Sequence, residues 1–145
     1  MSIDAAGVVL DADEITAFLE EVFPGAMEAF VIEEVVPNAA RVRMVFAPHR
    51  LRPGGTIAGP ALMTLADTSM WVALLAMIGR VPLSVTSHLD IDFLRKPAPR
   101  DVIGHARLLK LGKRLAVGDV LMFSDGETQP CARSSVTYAI PSSHR

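Results

Sequence analysis

Residues 53–78, PGGTIAGPALMTLADTSMWVALLAMI, decide how the chain is read. Leu62, Leu65, Ser69, Val72 and Ala76 recur at three- and four-residue intervals, the spacing of one helix face. Pro60 suits a first helical position, because its missing amide hydrogen is one the helix could not use. Gly79 is a natural C-cap, and Pro82 prevents resumption, so the spacing predicts a helix over about 60–78. Small residues at 61, 66, 69 and 73 allow close approach of other elements. The helix is apolar on nearly every side except at Asp67 and Thr68, as expected of one covered by a sheet on one flank and another subunit on the other. A core helix has no need of a carboxylate, and burying one is costly unless something pairs with it or uses it. Asp67 is therefore the leading candidate for chemistry.

Working outward, 145 residues fit one domain, 1–145, and half are hydrophobic, enough for a filled core. A net charge of -2 argues against a nucleic-acid surface, which would carry a basic excess. The lone Cys131 excludes an intrachain disulfide framework and fits a reducing compartment. The first residues, MSIDAAG, have no basic region followed by an apolar core, so no signal peptide is read. The longest apolar tract, 65–78, is interrupted by Asp67, Thr68 and Ser69 and falls short of a membrane span. The expectation is a cytoplasmic protein with no membrane contact.

A short amphipathic helix is expected over about 11–22, with Ile15, Phe18, Leu19 and Val22 on one face, Asp11 or Asp13 as cap, and Pro24-Gly25 as stop. Phe30 to Val36 and Arg41 to Phe46 read as a β-hairpin around Pro37-Asn38, with Val42, Met44 and Phe46 inward. Residues 47–58 read as a loop. Four strands are expected at 83–94, 101–111, 114–123 and 130–140. In the first, Val85, Ser87, Leu89, Ile91 and Phe93 alternate with Thr86, His88, Asp90 and Asp92, the pattern of a half-buried strand. The tail PSSHR reads as frayed. Successive hairpins favour an antiparallel sheet curled around the central helix, an α+β architecture.

Several chemistries find no support. His49, His88, His105 and His144 lack metal-ligand spacing, and Cys131 has no cysteine partner. Gly54-Gly55 lacks the lysine of a phosphate-binding loop, and no serine stands in a G-x-S-x-G elbow. Cys131 is expected to pack rather than react. No cofactor motif is present.

The order of elements, with GTIAGPALMTLAD inside it, resembles the hot dog fold acyl-CoA thioesterases of the phenylacetic-acid (PaaI-like) family. Residues 55–67, VTSHLDIDFLRKP at 85–97 and the hairpin LKLGKRLAV carry the resemblance, which runs from about residue 30 onward. The family's His-Gly-Gly motif, nine residues ahead of its catalytic acid, places Ala58, Gly59 and Pro60 here and Asp67 as the acid. The resemblance implies that the Asp67 carboxylate attacks a thioester or activates water, that the Gly59 amide polarises the carbonyl, and that Thr86 orients water. It also implies homodimers, often paired as tetramers, with sites between subunits. Ala58 and Pro60 depart from the pattern: one lacks the histidine's polar contacts, the other an amide to donate.

On this reading the residues divide the work. A helix N-terminus offers free amides to a carbonyl oxygen, and Gly59 lets a substrate approach closely. Asp67 lies about 12 Å along the same helix, so acid and donor from one chain cannot grip one carbonyl. The acid of one subunit facing Gly59 of another resolves this, which makes a dimer part of the mechanism. Asp67 as nucleophile and Asp67 as general base both remain open, and a structural carboxylate bonded to Thr64 or Thr68 is the plain alternative. Arg95, Lys96, Lys110, Lys113 and Arg114 are candidate ligands for the phosphates of coenzyme A, with Arg52 and His49 weaker. Met63, Met70 and Trp71 are candidates for the acyl surface. His88 and Asp90 share a strand face with Thr86 and read either as pocket residues or as an exposed face. A non-catalytic acyl-CoA or hydrophobic-ligand binder is the first rival, and a structural assembly module the second.

Overall fold

The computed structural model describes residues 7–142, so the expectations for the first residues, for His144 and for most of the tail lie outside the described residues. Helix α1 spans Ala12–Val22. Asp11 is its cap: Glu14 N–H donates to Asp11 Oδ1 at 2.8 Å and Asp11 N–H to Glu14 Oε1 at 3.0 Å, a reciprocal box that satisfies two otherwise orphaned donors. Its buried face is Ile15, Phe18 and Leu19, whereas Val22 is exposed.

Strands β1 (Phe30–Val36) and β2 (Ala39–Met44) form the expected hairpin. The turn is tight enough that Asn38 adopts a left-handed φ of 64°, a conformation asparagine tolerates. Phe46 lies beyond β2 and is only half-buried, a correction to its expected place in the strand. Its N–H is held instead by Asp101 Oδ1 at 2.6 Å. The expected loop contains a 3-10 turn, Pro48–Arg50, and a miniature hairpin, β3 (Leu51–Arg52) with β4 (Thr56–Ile57). Gly54 and Gly55, at φ 98° and 78°, turn that hairpin where a side chain would be strained.

Helix α2 runs Gly59–Ile78 and ends at Gly79, whose N–H reaches the Leu75 carbonyl at 2.8 Å. At 20 residues with a mean hydropathy of 1.7 it is long and apolar enough to cross a membrane, which corrects the shorter tract read from sequence. Its apolarity is used by packing: Leu62, Leu65, Val72, Leu74 and Leu75 are essentially inaccessible. Each such side chain contributes about 1.5–3 kcal/mol on burial. Strands β5 (Val85–Phe93), β6 (Val102–Leu111), β7 (Leu115–Ser124) and β8 (Ala132–Ala139) follow, within two residues of expectation at each end. The sheet is antiparallel throughout in the order β1-β2-β6-β7-β8-β5, and α2 packs chiefly against β6, β2, β7 and β8.

Two glycines let the helix settle onto the sheet. A Cβ on Gly104 would lie 2.5 Å from Ser69 Oγ, and one on Gly118 would collide with the Arg107 carbonyl and the Met70 Cε. Met70 is thus fully buried as core, which corrects its assignment to an acyl surface. Across the hairpin ends, Arg43 joins Glu33 at 2.7 Å with Asp101 and Asp125, each at 3.0 Å, tying β2 to the start of β6 and the end of β7.

β5 is an edge strand. Val85 and Phe93 are more than half exposed and only Leu89 and Ile91 are half-buried, so within one chain the expected half-buried strand is mostly open. A register shift between Thr86 and His88 leaves Ser87 as the extra residue of a β-bulge.

Candidate active site

The bulge decides what Thr86 can touch. From His88 onward β5 pairs His88 with Thr137, Asp90 with Ser135 and Asp92 with Arg133, all on the outward face of β8. Before the bulge Thr86 pairs with Tyr138, which belongs to the inward set Ala132, Ser134, Val136 and Tyr138. One inserted residue turns a side chain to the other face, because the strand period is two. The expectation that Thr86, His88 and Asp90 share a face is therefore wrong. His88 and Asp90 turn outward, where Asp90 meets His88 Nε2 at 3.3 Å and Arg133 at 3.3 Å.

Turned inward, Thr86 donates its hydroxyl to Asp67 Oδ1 at 2.6 Å. Tyr138 donates to the same oxygen at 2.7 Å and lies 3.2 Å from the Asp67 carbonyl oxygen. Two neutral donors thus converge on Oδ1, and Oδ2 takes no hydrogen bond among the described residues. No cation pairs with Asp67 there either. Thr64, considered as a structural partner, instead returns its hydroxyl to the Pro60 carbonyl at 3.1 Å. Burial, and then the charge of Asp67, push the Tyr138 phenol far above its ordinary pKa, so it stays a protonated donor.

Half-buried Asp67 lines a cavity of about 710 Å³ with Thr64, Thr68 and Trp71 of α2, Leu19 and Phe23 near α1, and His49. This is the size of a small-molecule site. Met63 is exposed and does not line it; Trp71 does, its buried Nε1 unpaired among the described residues.

Gly59 lies at a different cavity, about 380 Å³, with Arg52, Leu62, Phe93, Arg95 and Lys96. As the first residue of α2 its N–H has no carbonyl one turn earlier to meet. Ala58 caps the helix without a side-chain hydrogen bond, and Pro60 contributes no donor. The five candidate cations do not form one cluster. Arg95 and Lys96 follow the end of β5, whereas Lys110, Lys113 and Arg114 stand at the β6–β7 hairpin, at the end of the sheet where β5 starts and with β8 between. The two groups are roughly 25 Å apart along the strands. Cys131 is buried, and burial pushes its thiol up, leaving little reactive thiolate.

Sequence reasoning missed Tyr138. The signal was present: it is the single tyrosine of the chain, on the inward alternation of the last strand. A phenol there must find a partner, and the one acid of the central helix is an available one.

A curved antiparallel sheet wrapped around one long helix, with a carboxylate two turns inside it, defines the hot dog fold of thioester hydrolases. Residues 54–131, more than half of the chain, match the Thioesterase superfamily, and the chain belongs to it. A solved protein from Silicibacter sp. TM1040 that carries a thioesterase assignment is 47% identical, with a TM-score of 0.86 over 92% of this chain and 94% of that one. A Thermoplasma acidophilum protein assigned as an esterase is 25% identical over 77% of this chain and 83% of its own length. A point variant of the phenylacetic acid degradation protein PaaI from Thermus thermophilus, 22% identical with a TM-score of 0.68 over 86% of this chain and 99% of that one, shares the fold. The resemblance read from the helix start is borne out at the level of fold and family. Membership supports thioester hydrolysis as the general chemistry and a thioester as substrate.

Proposed function

We propose that the chain hydrolyses acyl-CoA thioesters as a homo-oligomer, with Asp67 as the nucleophile or general base. The observation that carries this reading is the half-fixed carboxylate: Oδ1 is held by two hydroxyls while Oδ2 is free beside a cavity. As a base, Oδ2 takes a proton from water while the water oxygen bonds to the thioester carbon. The C–S bond then breaks, and the departing thiolate takes up a proton. As a nucleophile, Oδ2 bonds to that carbon directly, the C–S bond breaks, and the thiolate leaves and takes up a proton. Water then cleaves the resulting anhydride to the free acid and the Asp67 carboxylate. Thr86 fits either course, because a hydroxyl already donating to Asp67 can still accept from the water.

The carbonyl oxygen needs a donor where negative charge develops. Gly59 of the same chain is about 12 Å away along α2 and opens on another cavity, so the donor is the partner subunit's Gly59. An edge strand with unpaired backbone groups and exposed Val85, Phe93 and Leu94 supports such an assembly. Arg95 and Lys96, beside the Gly59 cavity, and Arg52 within it are proposed to meet the coenzyme A phosphates. Lys110, Lys113 and Arg114 could serve the same ligand only from a neighbouring subunit.

Thiol release from a panel of acyl-CoAs by wild type and D67N tests the reading. Turnover abolished by D67N supports it, because asparagine preserves shape and removes basicity. The missing cap bond at Ala58 and the donor-free Pro60 favour a second reading, a non-catalytic acyl-CoA binder. Tight binding without turnover in the wild type would select that one.

A further inference from the structure

We propose that Tyr138 is a positioning residue for Asp67: with Thr86 it pins Oδ1, which leaves Oδ2 as the working oxygen and fixes the direction in which it points. The proposal rests on the reading of Asp67 as the reacting acid and adds to it the residue that aims that acid.

Four observations converge. The phenol oxygen is 2.7 Å from Oδ1 and 3.2 Å from the Asp67 carbonyl, so it spans the side chain and the backbone of one residue and restricts the carboxylate's rotation. Tyr138 is 2% exposed, its ring immobilised between α2 and the sheet, and only two side-chain torsions need fixing. It stands directly across from Thr86, so the bulge at Ser87 brings both donors to the same oxygen. Both are neutral and, unlike a guanidinium, orient the carboxylate without cancelling its charge.

The groups facing the acid are Thr64 and Thr68 from α2, Thr86 from β5 and Tyr138 from β8. Across the cavity are His49, Arg50 and Glu28. Glu28 is the other carboxylate of that cavity, so E28Q serves as the control.

Y138F keeps the ring and removes the donor. Losing a hydrogen bond to the ionised form makes a carboxylate easier to protonate. The expected result is a kcat lower by about 10- to 100-fold with KM changed less than about threefold. The acid limb of the kcat/KM profile moves to higher pH. E28Q leaves that limb in place. An unmoved acid limb in folded Y138F, alongside an inactive D67N, overturns the positioning role and leaves the catalytic reading standing. An active D67N overturns the catalytic reading itself.

A second measurement needs neither turnover nor a variant at 138. Tyr138 is the chain's single tyrosine, so 3-fluorotyrosine incorporation yields one ¹⁹F resonance. That resonance is expected to titrate with pH in the wild type and to lose that titration in D67N. The same titration persisting in D67N counts against the contact.

Discussion

Asp67 of α2 and Asp90 of β5 face opposite sides of the sheet, and the two carboxylates are held in opposite ways. Asp90, exposed on the outer face, is bound by ionisable or cationic partners: His88 at 3.3 Å and Arg133 at 3.3 Å, with Asp92 sharing that guanidinium at 2.8 Å. Asp67, half-buried on the inner face, is bound only by the hydroxyls of Thr86 and Tyr138 among the described residues. A guanidinium neutralises a carboxylate and occupies its lone pairs, whereas a hydroxyl orients one oxygen and leaves the charge available. The difference separates a carboxylate that fastens two strands from one that can still accept a proton or attack a carbon.

The contrast can be broken most sharply at the acids themselves. D67N is expected to reduce kcat by about 10²-fold or more, and D90N to leave it within about twofold, both read by thiol release from an acyl-CoA. Equal effects would erase the distinction.

The bulge comes next. T86V should remove the hydroxyl and lower kcat by about tenfold. Deleting Ser87 makes Thr86 and His88 neighbours in unbroken alternation, keeps Thr86 across from Tyr138 and should cost much less. A T86V variant as active as wild type would show that the hydroxyl does not hold the acid.

A smaller effect is expected at the donor. A Cβ on Gly59 would meet the Phe93 ring at 3.2 Å, and that exposed ring can give way, so G59A should keep its fold while crowding the carbonyl's approach. A several-fold loss of kcat/KM with a change in Tm of only about 2 °C is expected, measured by kinetics and thermal denaturation.

The smallest concerns pH. The hydrogen bond from His88 lowers the Asp90 pKa most, and with the Ser135 amide and the Arg133 charge it outweighs the opposing effect of desolvation. A carboxyl depressed in the folded state stabilises above its unfolded pKa, and the contribution is lost as pH falls through the folded value. The slight Tm deficit of D90N at pH 7 should therefore shrink and vanish as pH falls through the acid range. A deficit that grows with acid would reverse the sign.

Much of the frame was legible because it rests on local rules. Pro60 and Gly79 set the ends of α2 through the chemistry of helix termini, and alternation set β6 to β8. Asp67 was legible as a misfit, an acid in an apolar helix. The bulge was not, because VTSHLDIDF alternates without interruption and nothing local marks Ser87 as an extra residue. Tyr138 was hidden for a related reason: 71 residues separate it from Asp67, and only strand register joins them. The fate of Met70 likewise depended on distant Gly118, which leaves room for its side chain.

The apolar rod formed by α2 also bears on how the chain is made. Of the four strands that chiefly sheathe it, only β2 precedes it in sequence, while β6, β7 and β8 come after. During synthesis, a segment fit to enter a lipid bilayer leaves the ribosome before most of its cover exists. Until β8 has been translated, the greasy surface that later shields the acid is open to chaperones, to membranes and to other nascent copies.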